Sequence, residues 1–199
     1  DYYYRYGYYP FMTPSRARFQ RENARKEAGR ATLRPMTRAD IQAVAALYEK
    51  AMQKRICTAI RGPKLWEWLI SVGCRSWLFS RPRVVFDADG RLCGYFTNNS
   101  KDQLDIREVV TRGDEAACRA MLGCLVKEAR RREIKELSIP LGWDDPLAVF
   151  IRQHVAAEFT IISNPTGGSL MKIVDFSGLM KALEPLFTQR RMQVRTSLA

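Results

Sequence analysis

The sequence predicts an α/β protein with a mixed central sheet and helices on both faces. Three observations carry this. Short apolar runs and amphipathic stretches follow one another in the order β, α, α, β, β, β, α, β, α, β, β. Two of the apolar runs are joined by an Asp89-Gly90 turn, and residues 114–132 carry one strongly patterned helix.

Leu33-Arg34-Pro35-Met36 reads as a short strand end, and Thr37 and Asp40 have the spacing of a capping box that opens a helix. That helix carries Ile41, Val44, Ala45, Tyr48 and Met52 on one face. Gly62-Pro63 starts a second helix, Lys64 to about Phe79, because proline in a first turn has no N–H to leave unpaired. It carries Leu65, Trp66, Trp68, Leu69 and Val72, and the tryptophans read as packing residues rather than a ligand cage.

Arg83–Asp87 and Leu92–Thr97 form a hairpin around Ala88-Asp89-Gly90, and Leu104–Thr111 supplies a third strand. The helix from Asp114 to about Arg132 has acids in its first turn, Ala117, Met121, Leu125 and Ala129 at i, i+4 spacing, and three arginines at its end. Those charges complement the helix dipole at both ends. The strand Glu136–Ile139 leads to Asp144-Asp145-Pro146, read as a cap and an N1 proline opening a short helix to about His154. Strands Phe159–Ser163 and Ser169–Val174, joined by Asn164-Pro165-Thr166-Gly167-Gly168, complete the series.

Composition bounds the function. With 199 residues, 46% hydrophobic and 27% charged, the chain can bury a sizeable core. No apolar run approaches the roughly 18 to 20 residues needed to span a bilayer, and no signal peptide is apparent, so a cytoplasmic protein is expected. Five cysteines (Cys57, Cys74, Cys93, Cys118 and Cys124) contain no C-x-x-C pair, which fits reduced core thiols rather than disulfides or a metal site. The net charge of +12 is concentrated at the ends: residues 1–34 carry eight Lys/Arg against three acids, and residues 186–199 three against none. These basic stretches lack interleaved aromatics, so nucleic acid is not an expected partner, whereas attraction to anionic ligands or surfaces stays open.

The ends sharpen the reading. Six of the eight tyrosines lie in residues 1–9, which looks like the tail of a folded unit. From Leu33 to Val174 the element order resembles the acetyl-CoA-dependent GNAT superfamily of N-acetyltransferases. Tyr3-Tyr4-Arg5-Tyr6-Gly7-Tyr8 is similar to the signature that closes the first domain of the Eis-like (enhanced intracellular survival) members. Ser169–Asp175 and the amphipathic Phe176–Phe187 look like the start of their third, sterol-carrier-protein-like domain.

The resemblance implies residues 1–14 as the tail of a preceding GNAT domain and 15–32 as a basic linker. Residues 33–168 would then be a GNAT-like domain and 169–199 the start of a sterol-carrier-protein-like domain. It also implies an amine substrate, on a small molecule or a protein lysine, and a homo-oligomer.

Catalysis in that family is attributed to the first domain, and alignment with its signature makes Tyr3 the acid that protonates the departing coenzyme A thiolate. A phenol of pKa about 10 suits a thiolate of similar basicity. The family grips the coenzyme A pyrophosphate with an Arg/Gln-x-x-Gly-x-Gly/Ala loop ahead of a helix. Here that junction reads Val110-Thr111-Arg112-Gly113-Asp114-Glu115, with one glycine and two carboxylates where the phosphates would lie. The middle domain is therefore expected to be a scaffold and one wall of the substrate pocket. No acetyl-CoA is expected to bind this chain alone.

The alternative is a non-catalytic GNAT-fold interaction module for an acidic partner or an anionic surface, and a further one is an active acyltransferase with an unusual cofactor loop. His154, the only histidine, suggests no catalytic triad. Glu108, beside Arg107, is open between a buried ion pair and a pocket acid.

Overall fold

The computed structural model describes residues 9–12, 15–53, 61–72, 80–98, 100, 104–161, 169–171 and 181. The chain divides into two units, residues 14–162 and residues 1–13 with 163–199. In the second of these, β1 (Tyr9–Met12) and β9 (Ser169–Met171) form an antiparallel ladder with Tyr9 opposite Met171. Residues 9–12 and 169–171, assigned from sequence to different neighbouring domains, thus hydrogen-bond to one another.

The larger unit contains two antiparallel sheets. One has the order β3 (Thr32–Pro35), β4 (Arg83–Phe86), β5 (Leu92–Asn98), β6 (Ile106–Thr111). The other has β2 (Ser15–Gln20) between β7 (Glu136–Pro140) and β8 (Glu158–Ile161). The single mixed sheet expected from the pattern is thus two ladders: β6 and β7 share no ladder, although the chain links them directly through α4 (Glu115–Arg131).

Residues 15–32, read from their charge as a linker, are instead part of this unit. Ser15, Ala17 and Phe19 are buried while Arg18 and Gln20 are exposed, the period-2 alternation of a strand with one wet face. The arginines that suggested a solvated tether occupy the outward positions. A short helical turn, α1 (Arg21–Ala24), follows and buries Ala24.

Alternation in the four-stranded sheet divides the core. Val84, Tyr95 and Val110 face α2 (Ile41–Met52) and α3 (Pro63–Val72), packing with Val44, Tyr48, Trp66 and Leu69. Val85, Cys93, Phe96 and Val109 face α4 and belong to the main core, which continues to α5 (Pro146–His154). Both faces of the sheet are therefore covered, as predicted, and β5 is buried over almost its full length.

Local signals account for the helices. The Thr37 backbone N–H donates to Asp40 at 2.7 Å, and Arg34 grips the same carboxylate with two bonds of 2.6 and 2.7 Å. These bonds, the guanidinium's first among them, hold the Asp40 carboxyl well below the usual range despite burial. Of the tryptophans on α3, Trp66 is fully buried and Trp68 is 52% exposed, so only the first is a packing residue here. The stretch 73–79, expected to continue α3, lies outside the described residues. In α4, Gly123 lets a backbone pass: a Cβ there would lie 2.1 Å from the Gly29 carbonyl oxygen, in the segment whose Gly29 N–H donates to Arg119 O.

Candidate functional site

A cleft of about 580 Å³ lies beside the C-terminal end of β6. Its walls are Ala43, Leu47 and Ala51 of α2, Val109 and Thr111 of β6, and Pro146 of α5. Lys50 and Gln53 stand among the lining residues, and Arg112 and Gly113 form the end nearest α4. Small side chains on α2 leave this space because alanine at positions 43, 46 and 51 cannot reach across to β6.

The α4 end of the cleft is occupied by the chain's own groups. Gly113 adopts φ +94, a left-handed conformation that favours glycine, and turns the chain from β6 into the helix. The Asp114 side chain then accepts the Ala117 N–H at 3.0 Å, so it takes a helix N-terminal donor for itself. Arg112 donates to the same carboxylate through Nε at 2.5 Å and Nη2 at 3.2 Å. Its Nη2 also lies 3.5 Å from Asp87, and its Nη1 donates to the Leu92 carbonyl at 3.3 Å. The Arg112 hydrogen bond, supported by the Ala117 N–H, lowers the Asp114 pKa from 3.8 to about 2 against the opposing effect of burial. Reciprocally, the bond to Asp114 raises Arg112 above its ordinary value.

The pyrophosphate of coenzyme A does not fit the mouth of α4 as it stands. A pyrophosphate at a helix mouth needs unengaged N–H groups and positive potential. Here a carboxylate already takes one such N–H, and the adjacent guanidinium is shared between Asp114 and Asp87. Of the two acids expected to oppose the phosphates, only Asp114 sits at the mouth; Glu115 runs along the helix to Arg119, 2.9 Å away.

A second polar assembly lies on the α2 and α3 side of the sheet. Glu108 forms a bidentate pair with Arg61, at 2.8 and 2.5 Å, and accepts a short hydrogen bond from the Tyr95 hydroxyl. Tyr95 is opposite Val110 and Glu108 opposite Thr97, so the two meet on the diagonal of the β5 and β6 ladder. The Arg61 guanidinium stands 4.4 Å from the Tyr48 ring centre and 5.3 Å from that of Trp66. Burial opposes the charge on Arg61, yet the bonds and field of Glu108 raise its pKa above the ordinary value. For Tyr95, burial and then the neighbouring carboxylate push the phenol well above its usual range.

Glu108 is thus an ion-pair member, and its partner is Arg61 rather than Arg107, which pairs with Asp105 at 2.7 Å. Sequence reading missed Arg61, because nothing local connects it to a carboxylate 47 residues away. Tyr3, the residue implied as a general acid, lies outside the described residues. His154 closes α5 with its ring 4.6 Å from Phe150. Asp145 caps α5 by accepting the Leu147 N–H at 2.9 Å, while Asp144 is exposed. Cys93, Cys118 and Cys124 are buried free thiols, and burial pushes them up to about 11, 11 and 12.

No protein family profile matches the chain, and no curated protein matches it in sequence. Solved structures do match in shape. A GCN5-related N-acetyltransferase from Kribbella flavida superposes with a TM-score of 0.53 at 21% identity, over 80% of this chain and 39% of that one. One from Anabaena variabilis gives 0.53 at 19% identity, over 81% and 40%. A probable N-acyltransferase from Enterococcus faecalis gives 0.51 at 14%, over 80% and 41%. The chain therefore spans about two-fifths of the length of each of these proteins. With helices on both faces of the sheet and β6 leading into α4 beside an open cleft, the chain has the GNAT (acyl-CoA N-acyltransferase) fold.

Proposed function

We propose that this chain is the central portion of an Eis-like, acetyl-CoA-dependent N-acetyltransferase, in which its GNAT unit is a scaffold and one wall of the amine-substrate pocket. The observation that carries this reading is the self-capped mouth of α4, where Asp114 takes the Ala117 N–H and engages Arg112. A GNAT unit closed in this way keeps its fold but leaves cofactor binding to another domain, which accords with the chain spanning only part of its structural neighbours. In this reading acetyl-CoA binds in the preceding domain, Tyr3 is the acid that protonates its departing thiolate, and the acceptor is an amine. The assembly is a cytoplasmic homo-oligomer, and residues 169–199 begin a sterol-carrier-protein-like domain.

One observation favours the second reading, an interaction module for an anionic partner. A groove of about 320 Å³ between α1 and α4 is lined by Arg21, Arg25, Lys127 and Arg130 around the single acid Glu22. Isothermal titration of the chain with acetyl-CoA tests the first reading. No heat is expected at roughly millimolar ligand, a range in which only very weak association would escape notice. Saturable binding at micromolar concentration would show that the unit holds its own cofactor and would overturn the scaffold role.

A further inference from the structure

The Arg61 assembly has the composition of a ligand site, although its occupant is part of the chain. Tyr48 of α2, Trp66 of α3, Tyr95 of β5 and Glu108 of β6 come from four separate elements. Their rings brace one another edge to face: Tyr48 and Trp66 lie 5.5 Å apart at 80°, and Trp66 and Tyr95 6.0 Å apart at 86°. The Tyr95 hydroxyl fixes the carboxylate through its hydrogen bond to Glu108. Arg61 belongs to none of these four elements, lying just ahead of α3 and outside any helix or strand. The four groups thus hold one another in place through contacts that do not pass through Arg61.

Their chemistry selects a planar organic cation. Aromatic faces attract a delocalised positive charge, and a carboxylate presented edge-on matches the parallel N–H pair of a guanidinium. Both contacts are filled by Arg61, in bidentate pairing with Glu108 and within cation–π distance of Tyr48 and Trp66. The side chains of Arg61 and Glu108 keep 15% and 22% of their exposure, while the three rings are buried, so a ligand reaches them only when Arg61 swings out. We propose that Tyr48, Trp66, Tyr95 and Glu108 form a binding site for a free alkylguanidinium-type cation, and that Arg61 occupies it in cis as an internal competitor. A ligand that displaces Arg61 keeps the charge balance with Glu108 and releases one guanidinium to water. Because Arg61 competes, the site binds weakly in the resting chain, and its apparent affinity is the intrinsic affinity multiplied by the fraction of time Arg61 is absent. The site involves neither the α4 mouth nor acetyl-CoA.

The test is calorimetric titration of the full chain with butylguanidinium, using its neutral analogue butylurea as control. The wild-type chain is expected to bind butylguanidinium in the millimolar range and not to bind butylurea. Arg61→Ala should tighten butylguanidinium binding by roughly 10-fold or more, since it removes the competitor, and adding Glu108→Gln should abolish it. Should Arg61→Ala fail to fold, Arg61→Lys serves instead, because it keeps the charge but loses the fork, and tightening by about 3-fold or more is expected. Binding seen only after Arg61 is replaced would make Arg61 a permanent structural member and overturn the proposal. So would equal binding of butylurea, binding that survives Glu108→Gln, or no binding to any of the variants.

Discussion

Arg112 and Asp114 clasp one another across Gly113, at 2.5 and 3.2 Å, and so close the end of the helix that follows the last strand of the main sheet. The same carboxylate serves the guanidinium and the Ala117 N–H, so its removal has two separable effects.

Asp114→Gly should lower stability by about 0.5 to 1 kcal/mol in chemical denaturation, through the lost cap and ion pair, since glycine itself caps tolerably. It should also release the helix mouth, so that roughly 10 mM pyrophosphate raises the melting temperature of the variant and not of the parent. Asp114→Asn should keep the cap and lose the charge. The Asp114 pKa is lowered in the fold from 3.8 to about 2, so the charged form favours the folded state and contributes stability above pH 3.8. That contribution is lost as pH falls through about 2, and the stability gap between parent and Asp114→Asn should close over that window. A gap independent of pH from 5 to 2 would remove the ion pair from the account.

Gly123→Ala should destabilise the chain by about 1 to 3 kcal/mol or more, because the new Cβ would meet the Gly29 carbonyl at 2.1 Å and backbone must move. Gly62→Ala is the control: nothing lies within 4 Å of its Cβ position, and urea denaturation should place it within about 0.5 kcal/mol of the parent.

Phe19→Ala in β2 should cost about 3 to 5 kcal/mol, as for a buried aromatic truncated in a core, whereas Arg18→Ala beside it should cost under about 0.5 kcal/mol. Similar small losses for both would return residues 15–20 to the status of a tether.

The buried thiols predict alkaline sensitivity. Cys93, Cys118 and Cys124 have pKa values raised from 9.0 to about 11 to 12, so the unfolded chain loses these protons first as pH rises. Their contribution is complete below pH 9 and is lost between about 9 and 12. Replacing the three with alanine should flatten the fall in stability over this range. In the parent at pH 8, peptide mapping after brief iodoacetamide treatment should find these three unmodified.

On the proposed function, Tyr3→Phe in a protein that adds a GNAT domain ahead of this chain should lower turnover by roughly 10- to 10³-fold with little change in KM, since it removes the proposed proton donor and keeps the ring. Tyr4→Phe should be close to neutral. Loss of turnover with Tyr4→Phe alone would shift the role by one residue, and neutrality of both would withdraw it.

The local elements were legible because their signals are local. The cap at Asp145 before Pro146, the box at Thr37 and Asp40, and the charge-polarised helix after Asp114 each depend on residues within one turn. β2 was not legible as a strand, because its inward positions are Ser15, Ala17 and Phe19, only one of them large, and its outward arginines dominate the composition. The structure gives it two antiparallel partners, β7 and β8, more than 100 residues away.

By itself the sequence determined the element order from β3 onward and placed a carboxylate beside Gly113 at the junction of β6 and α4, because caps, turns and periodicity are properties of neighbouring residues. Only the tertiary structure decided that Asp114 would take the Ala117 N–H, that Glu115 would turn away to Arg119, and that Arg61 would find Glu108 among three aromatic rings. Those outcomes depend on which faces of α2, α3, β5 and β6 are brought together. Packing of the whole core fixes them, not any stretch of chain short enough to read as a motif.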